Sequence, residues 1–214
     1  MDPHSNHTDT RYAQPLASMA GRRIGWIHRL RSDAIGQLLL KPGSRVVDAG
    51  CGTGASFPYL LDKVGQSGEV VGVEINPYLA SKARAAVLEN GWKNVQVIEA
   101  AAQTVSLAGQ FDALLLFAVH EILTSAEALD HLFDALGGQA RVVSFGAKQS
   151  GPPLGWLFNP LFRLASKKWL PYSPPIGRQP WLLLLNRLVE VRVEQRLGGV
   201  MYLVSGTKAE SEDR

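Results

Sequence analysis

Asp48-Ala49-Gly50-Cys51-Gly52-Thr53-Gly54 follows an apolar run, Val46-Val47, with an acid and then three glycines at every second position. Glycine permits the dihedral angles of a sharp strand-to-helix turn. It also lets the backbone approach a ligand with no Cβ in the way. Free N–H groups at the start of the following helix accept an anionic group. Asp48 then falls at the carboxyl end of a strand, where open α/β sheets bind their ligands. A second acid, Glu74, lies 20 residues after Gly54 and ends another apolar run, where a carboxylate can accept hydrogen bonds from both hydroxyls of a ribose. His120 and Glu121 follow a third apolar run, Phe111 to Phe117, and are candidate general bases at the same end of a sheet.

The elements that position these residues alternate. Residues 16–40 carry Ile27, Leu30, Ala34 and Leu38 at helical spacing and form a helical lead-in that Lys41-Pro42-Gly43 ends. Strands are expected over 45–49, 69–74, 94–99, 111–117 and 140–145. Helices are expected over 55–64, from Asn76-Pro77 to Gly91, and over 125–136 with Gly137-Gly138 as the stop. A helix over 181–188 leads to strands 189–196 and 200–206, joined by a tight turn at Leu197-Gly198-Gly199. The fold class is α/β: a doubly wound, seven-stranded, mostly parallel sheet with a C-terminal antiparallel hairpin. One domain covers residues 15–207, between a disordered start at 1–14 and a disordered tail at 208–214. Residues 147–187 interrupt the alternation as a lid inserted after the fifth strand, and seven prolines lie between Gly146 and Pro180.

Val47 to Gly54 resembles motif I of the class I S-adenosylmethionine-dependent methyltransferases. Val71-Gly72-Val73-Glu74-Ile75-Asn76 looks like their motif II, and Phe111-Asp112-Ala113-Leu114-Leu115-Leu116 like motif IV. The likeness covers residues 40 to 146 and is loosest outside the cofactor motifs, where it leans towards small-molecule and lipid methyltransferases of the ubiquinone/menaquinone type. It implies S-adenosylmethionine as cofactor and S-adenosylhomocysteine as product. It also implies that Asp48, Gly50, Cys51, Gly52 and Gly54 face the methionine end and that Glu74 holds the ribose. The acid that family members commonly set against adenine would fall at Ala101. Either Ile75 and Ala102 hold adenine through backbone and apolar contacts, or Glu99 is displaced into the role. Phe117 is assigned to the same pocket. Cys51 is read as a small packing residue, because its spacing offers no partner base.

Transfer from a sulfonium is an in-line displacement that proximity and orientation can drive, with a base added where the acceptor must lose a proton. His120, Glu121 and Tyr12 are the catalytic candidates. The inserted lid brings Trp156, Phe162, Trp169 and Tyr172, with Trp181 just beyond, beside Arg163, Lys167, Lys168 and Arg178. Aromatics interleaved with cations suit a flat or amphipathic acceptor with an anionic group, or an interfacial membrane contact. A quinone, a phenolic metabolite or an amine-bearing lipid is the expected acceptor class. The Asn-Pro-Pro-Tyr type of motif used on nucleic-acid base amines is replaced by Phe117-Ala118-Val119-His120, so no nucleic-acid partner is expected. Two other chemistries stay open: aminocarboxypropyl transfer from the same donor, and nicotinamide-dependent oxidoreduction on a related turn.

Charge is unevenly spread over the chain. Five arginines and no acid lie between Arg11 and Ser32, and six basic residues and no acid between Ala147 and Arg187. The intervening stretch, Asp33 to Arg141, holds 12 acids against 7 bases, so the basic flanks can face an anionic substrate or a membrane surface. The longest apolar run, Ala113 to Val119, is too short to cross a bilayer, which takes about 20 apolar residues. A single cysteine and a polar start fit a cytoplasmic protein. No metal ligands are assigned, and oligomeric state is left open.

Overall fold

A computed structural model describes residues 25–149 and 177–210. Seven strands form one sheet in the order β3-β2-β1-β4-β5-β7-β6. They are β1 (Arg45–Ala49), β2 (Glu69–Glu74), β3 (Val95–Glu99), β4 (Phe111–Phe117), β5 (Leu136–Ala147), β6 (Leu188–Arg196) and β7 (Met201–Lys208). β7 runs antiparallel to both of its neighbours, while β1 to β5 pair in parallel. The expected doubly wound sheet with a terminal hairpin is therefore the observed architecture.

Helices cover both faces, and the strands are apolar on both sides as a result. Val46 and Val47, adjacent on β1, enter two different core layers. The Val46 layer takes Ala34 and Ile35 from α1 (Gly25–Gly36), Phe57 and Leu60 from α2 (Phe57–Val64), and Ala83 from α3 (Pro77–Glu89). The Val47 layer takes Leu123 from α4 (His120–Leu123), Leu129 and Leu132 from α5 (Ala126–Asp134), and Leu184 from α6 (Leu182–Leu185). Asn76 caps α3 by accepting from the Tyr78 and Leu79 N–H groups, and Ser125 caps α5 through the Ala128 N–H.

Several boundaries differ from those expected, each for a local reason. α1 ends at Gly36, short of Lys41-Pro42-Gly43, and Gln37, Leu38 and Leu39 continue as three-residue turns. Gly137 and Gly138 do not stop a helix. α5 ends at Asp134, and both glycines lie in β5, inside the register break between the Phe111–Leu136 and Ala113–Arg141 pairings. Such a break leaves β5 residues without partners on β4, a place where glycine is readily accommodated. The helix expected over 181–188 shrinks to α6, because Leu188 is already paired to Lys208 at the start of β6. The segment 1–14, the tail beyond residue 210 and the centre of the inserted lid lie outside the described residues.

Candidate functional site

The glycine turn is built by hanging one strand end on the next. Gly50 N–H and Cys51 N–H both donate to the Val73 carbonyl of β2, at 2.7 and 3.0 Å, and Gly54 N–H closes the turn on Cys51 O at 3.0 Å. Gly50, Gly52 and Gly54 have φ of +73°, +58° and +80°, values that an L side chain tolerates poorly. A Cβ at Gly50 would also collide with Val119, and one at Gly54 would stand 2.6 Å from the Phe57 ring, whereas a Cβ at Gly52 would meet nothing within 4 Å. The side of the turn at Gly52 is thus open, and there the backbone borders a cavity of about 330 Å³. That volume lies within the range of small-molecule sites.

The cavity sits at the carboxyl ends of β1, β2 and β4. Its walls include Gly50, Cys51, Gly52 and Thr53 of the turn, Glu74 at the end of β2 with Ile75 next to it, Ala102 and Gln103 after β3, and Phe117 at the end of β4 with Val119 and Glu121 after it. Glu74 is buried, and its carboxylate accepts from Gly52 N–H at 2.9 Å and Asn76 N–H at 2.8 Å. Burial raises its pKa against those two hydrogen bonds. Asp48 stands behind the turn, only 1% exposed, and its Oδ2 has no hydrogen-bond partner among the described residues. Desolvation pushes its pKa up to about 7, opposed by the positive charge of Arg31 and by the Ser56 side chain. Cys51 is buried with Sγ close to Gly72, where a Cβ would lie 2.8 Å away, and burial drives its thiol pKa well upward. A protonated thiol packed against the sheet is a poor nucleophile, in keeping with its reading as a packing residue.

On the β3 side, Ile75 and Ala102 line the cavity, while Ala101 is not among the lining residues. Glu99 faces away, paired with Arg84 at 2.9 Å. Gln103 was missed by sequence reasoning, although it brings an amide to this wall. The usable signal was its polarity two positions beyond the expected acid slot.

At the end of β4 the backbone is strained. Ala118 has φ of +62° and donates to Phe145 O at 2.7 Å, which swings Val119 and α4 over the turn. Phe117 stacks on Phe145 with centroids 4.7 Å apart and offers its ring to the guanidinium of Arg31 at 4.5 Å. Glu121 is exposed and lines the cavity. His120, at the first position of α4, is half-buried and is not among the lining residues. Arg31, on α1, lines the cavity, and no reading of the motifs pointed to it. Trp181 is placed in the apolar core, 6% exposed and packed on Tyr202 with centroids 4.6 Å apart, not against the cavity. Burial explains that position, because a large ring gains most in the layer between α5, α6 and the sheet. Tyr12, Trp156, Phe162, Trp169 and Tyr172 lie outside the described residues.

A seven-stranded sheet with one antiparallel strand and a glycine turn facing an acid at the next strand end defines a nucleoside-binding α/β domain. Comparison with known proteins narrows the class. Residues 46–138 match the methyltransferase domain family. The aklanonic acid methyltransferase DauC of Streptomyces sp. (strain C5) is 29% identical over 137 residues, covering 62% of this chain and 54% of that protein. The ubiquinone/menaquinone biosynthesis C-methyltransferase UbiE of Xanthomonas axonopodis pv. citri is 32% identical over 137 residues, covering 62% and 52%. The chain therefore spans about half the length of these curated relatives. Among solved structures, the N-methyltransferase NodS of Bradyrhizobium japonicum WM9 in complex with S-adenosyl-L-homocysteine superposes with a TM-score of 0.64 at 16% identity, over 93% of this chain and 99% of that one. Residues 46–138 are thus similar to the methyltransferase domain family, and the sheet has the fold of the N-methyltransferase NodS.

Proposed function

We propose that this protein transfers the methyl group of S-adenosylmethionine to a small-molecule acceptor of quinone or phenolic type. The observation that carries the reading is one cavity in which Gly52, at the open side of the glycine turn, faces the Glu74 carboxylate, with Glu121 also among its lining residues. The residues fit the donor. Space stands where Gly52 lacks a Cβ, a carboxylate is presented for ribose hydroxyls, and a buried carboxylate oxygen of Asp48 is without a partner. Ile75 and Ala102 offer apolar surface for adenine, and Gln103 an amide for its polar edge. When bound, S-adenosylmethionine supplies a methyl group on a sulfonium that is already a good leaving group. The chain itself has to align the acceptor and keep water out. Glu121, not His120, is the side chain set to take a proton from an acceptor hydroxyl or an activated ring carbon.

Likeness to DauC and UbiE, named for aklanonic acid and for ubiquinone/menaquinone biosynthesis, supports a quinone-like acceptor. The aromatic and cationic residues of the inserted segment are assigned to hold it, with contact to a membrane surface where the acceptor is a lipid. No helix among the described residues is long and apolar enough to cross a membrane. A reducing, cytoplasmic setting suits the single buried thiol of Cys51. The test is thermal unfolding with S-adenosylmethionine, S-adenosylhomocysteine or NAD, followed by product mass with phenolic and quinol acceptors. A ligand at 100 times its Kd stabilises by about 2.7 kcal/mol. Stabilisation by the two sulfur nucleosides and a one-carbon mass gain support the reading. Stabilisation by NAD alone, or a four-carbon gain from aminocarboxypropyl transfer, overturns it.

A further inference from the structure

β6 closes the sheet on the side opposite β3, and its outer edge pairs with no strand among the described residues. Such an edge presents a row of unpaired N–H and C=O groups, which native proteins commonly blunt with lysine or proline. β6 carries neither: it reads Leu188-Val189-Glu190-Val191-Arg192-Val193-Glu194-Gln195-Arg196. Val189, Val191 and Val193 are all exposed, as is Leu197 in the turn that follows. Between them the charges alternate in sign through Glu190, Arg192, Glu194 and Arg196. The pairing with β7 is irregular between Val189 and Arg192, where Glu190 has φ of +52°, but from Arg192 to Arg196 the register is unbroken. There Val193 stands opposite Val204, buried in the layer of α5 and α6, whereas Glu194 stands opposite Leu203 of the other layer. Val193 and the charged residues therefore occupy opposite faces of the sheet.

We propose that β6 is a docking edge for a second copy of this chain, with two β6 strands pairing antiparallel about a two-fold axis at Val193 so that two sheets become one. The strand is complementary to itself in this arrangement. The axis stands normal to the sheet, so residues of one face lie opposite each other and the axis passes through a residue. At Val193 it sets that valine against its own copy on one face, and Arg192 against Glu194 twice on the other. An axis at Arg192 or Glu194 would bring two like charges together. At Val191 the pairing would cross the irregularity at Glu190, and at Gln195 it would run past Arg196 into the Leu197–Gly199 turn. Glu194 already meets Arg192 at 3.0 Å and Arg196 at 2.6 Å. Within one copy a single carboxylate thus serves two guanidiniums, and a second copy supplies another opposite Arg192. β5 and β7 separate β6 from β4, so the cavity stays clear of the interface, and this inference does not rest on the donor reading. One strand pair is a small interface, so association is weak and depends on concentration.

The test exchanges the charges. Sedimentation equilibrium on the whole chain, from micromolar to millimolar protein, measures dimerisation of the wild type, Arg192→Glu, Glu194→Arg and an equimolar mixture of the two variants. Each variant alone sets like charges against each other at both pairs and is expected to weaken self-association by about tenfold. Melting temperatures should change little, because the substitutions lie at an exposed edge. In the mixture opposite charges face each other again at both pairs, so the two variants should associate with one another about as tightly as the wild type does with itself. Pairing about Val191 or Gln195 would leave a like-charge pair in the mixture, so its recovery reports the register. Val193→Lys, which sets two ammonium groups on the axis, should also prevent dimerisation. A wild type that stays monomeric at millimolar concentration overturns the proposal. So do variants that each dimerise as tightly as the wild type, or a mixture that stays monomeric.

Discussion

Glu74 and Gly52 are joined across the mouth of the glycine turn: the carboxylate Oε2 accepts the Gly52 N–H at 2.9 Å. Its other oxygen accepts the Asn76 N–H at 2.8 Å, so one side chain ties the turn after β1 to the start of α3 while still lining the cavity. The cavity wall and the loop geometry therefore share a residue. Glu74→Gln keeps the size but sets an amide N–H₂ against one of two backbone donors. We expect it to lower stability by about 1–3 kcal/mol, the cost of a buried unsatisfied group, and to weaken S-adenosylhomocysteine at least tenfold. Thermal unfolding and calorimetry on the same preparation measure both, and a loss of affinity with unchanged stability would contradict the dual role.

Gly50 and Gly52 separate strain from occupancy. Both have positive φ, but a Cβ at Gly50 runs into Val119 and a Cβ at Gly52 points into open space beside the cavity. Gly50→Ala should cost more than the roughly 1 kcal/mol of a strained backbone, because Val119 and α4 have to shift. Gly52→Ala should cost about that strain alone and yet abolish donor binding, because the added methyl enters the space proposed for the donor. Comparable melting temperatures for the two variants would show that Val119 yields freely.

These elements were legible in the sequence because chemistry restricts them tightly. Glycine is favoured at the three positive φ values, and an acid at the end of β2 can bridge to the turn, so the turn over Gly50 to Gly54 and the place of Glu74 at a strand end were legible from spacing. The β-strands were legible because two-sided burial leaves near-continuous apolar runs. Gly137-Gly138 misled, because a glycine pair after an amphipathic stretch marks a helix stop and a strand irregularity equally well. The register break between β4 and β5 is a property of two strands at once. Arg31 and Gln103 stayed hidden for a related reason: their place at the cavity depends on how α1 and the segment after β3 pack, which no local pattern encodes.

Asp48 makes stability depend on pH with a definite sign. Its pKa is near 4 in an unfolded chain and about 7 in the fold, because burial disfavours the charged form. Between those values the folded state holds a proton that the unfolded state has lost, so stability is fully present below about pH 4 and falls as pH rises towards 7. The full effect is on the order of 4 kcal/mol at 1.36 kcal/mol per pKa unit. Asp48→Asn removes this dependence, while Glu74, also shifted upward, remains in both proteins. Unfolding free energies from pH 4 to 8 should therefore show the wild type losing ground to Asp48→Asn as pH rises. A constant difference across that range would mean that Asp48 stays ionised in the fold.

Trp181 tests whether an aromatic beside the inserted segment serves the acceptor or the core. Its ring packs on Tyr202, which is itself buried in β7, and it shares the layer formed by Leu129, Leu132 and Leu184. A residue that touched the acceptor would mainly raise KM when truncated. A residue that anchors the return of the chain into α6 and β6 would mainly lower stability. Trp181→Ala should cost about 3–5 kcal/mol, as large core truncations do. Trp181→Phe should cost much less, because it keeps a ring against Tyr202. KM for the acceptor should be unchanged in Trp181→Phe, the variant folded well enough to assay. An acceptor KM raised tenfold in Trp181→Phe with little change in melting temperature would put the ring in the acceptor site and count against its place in the core.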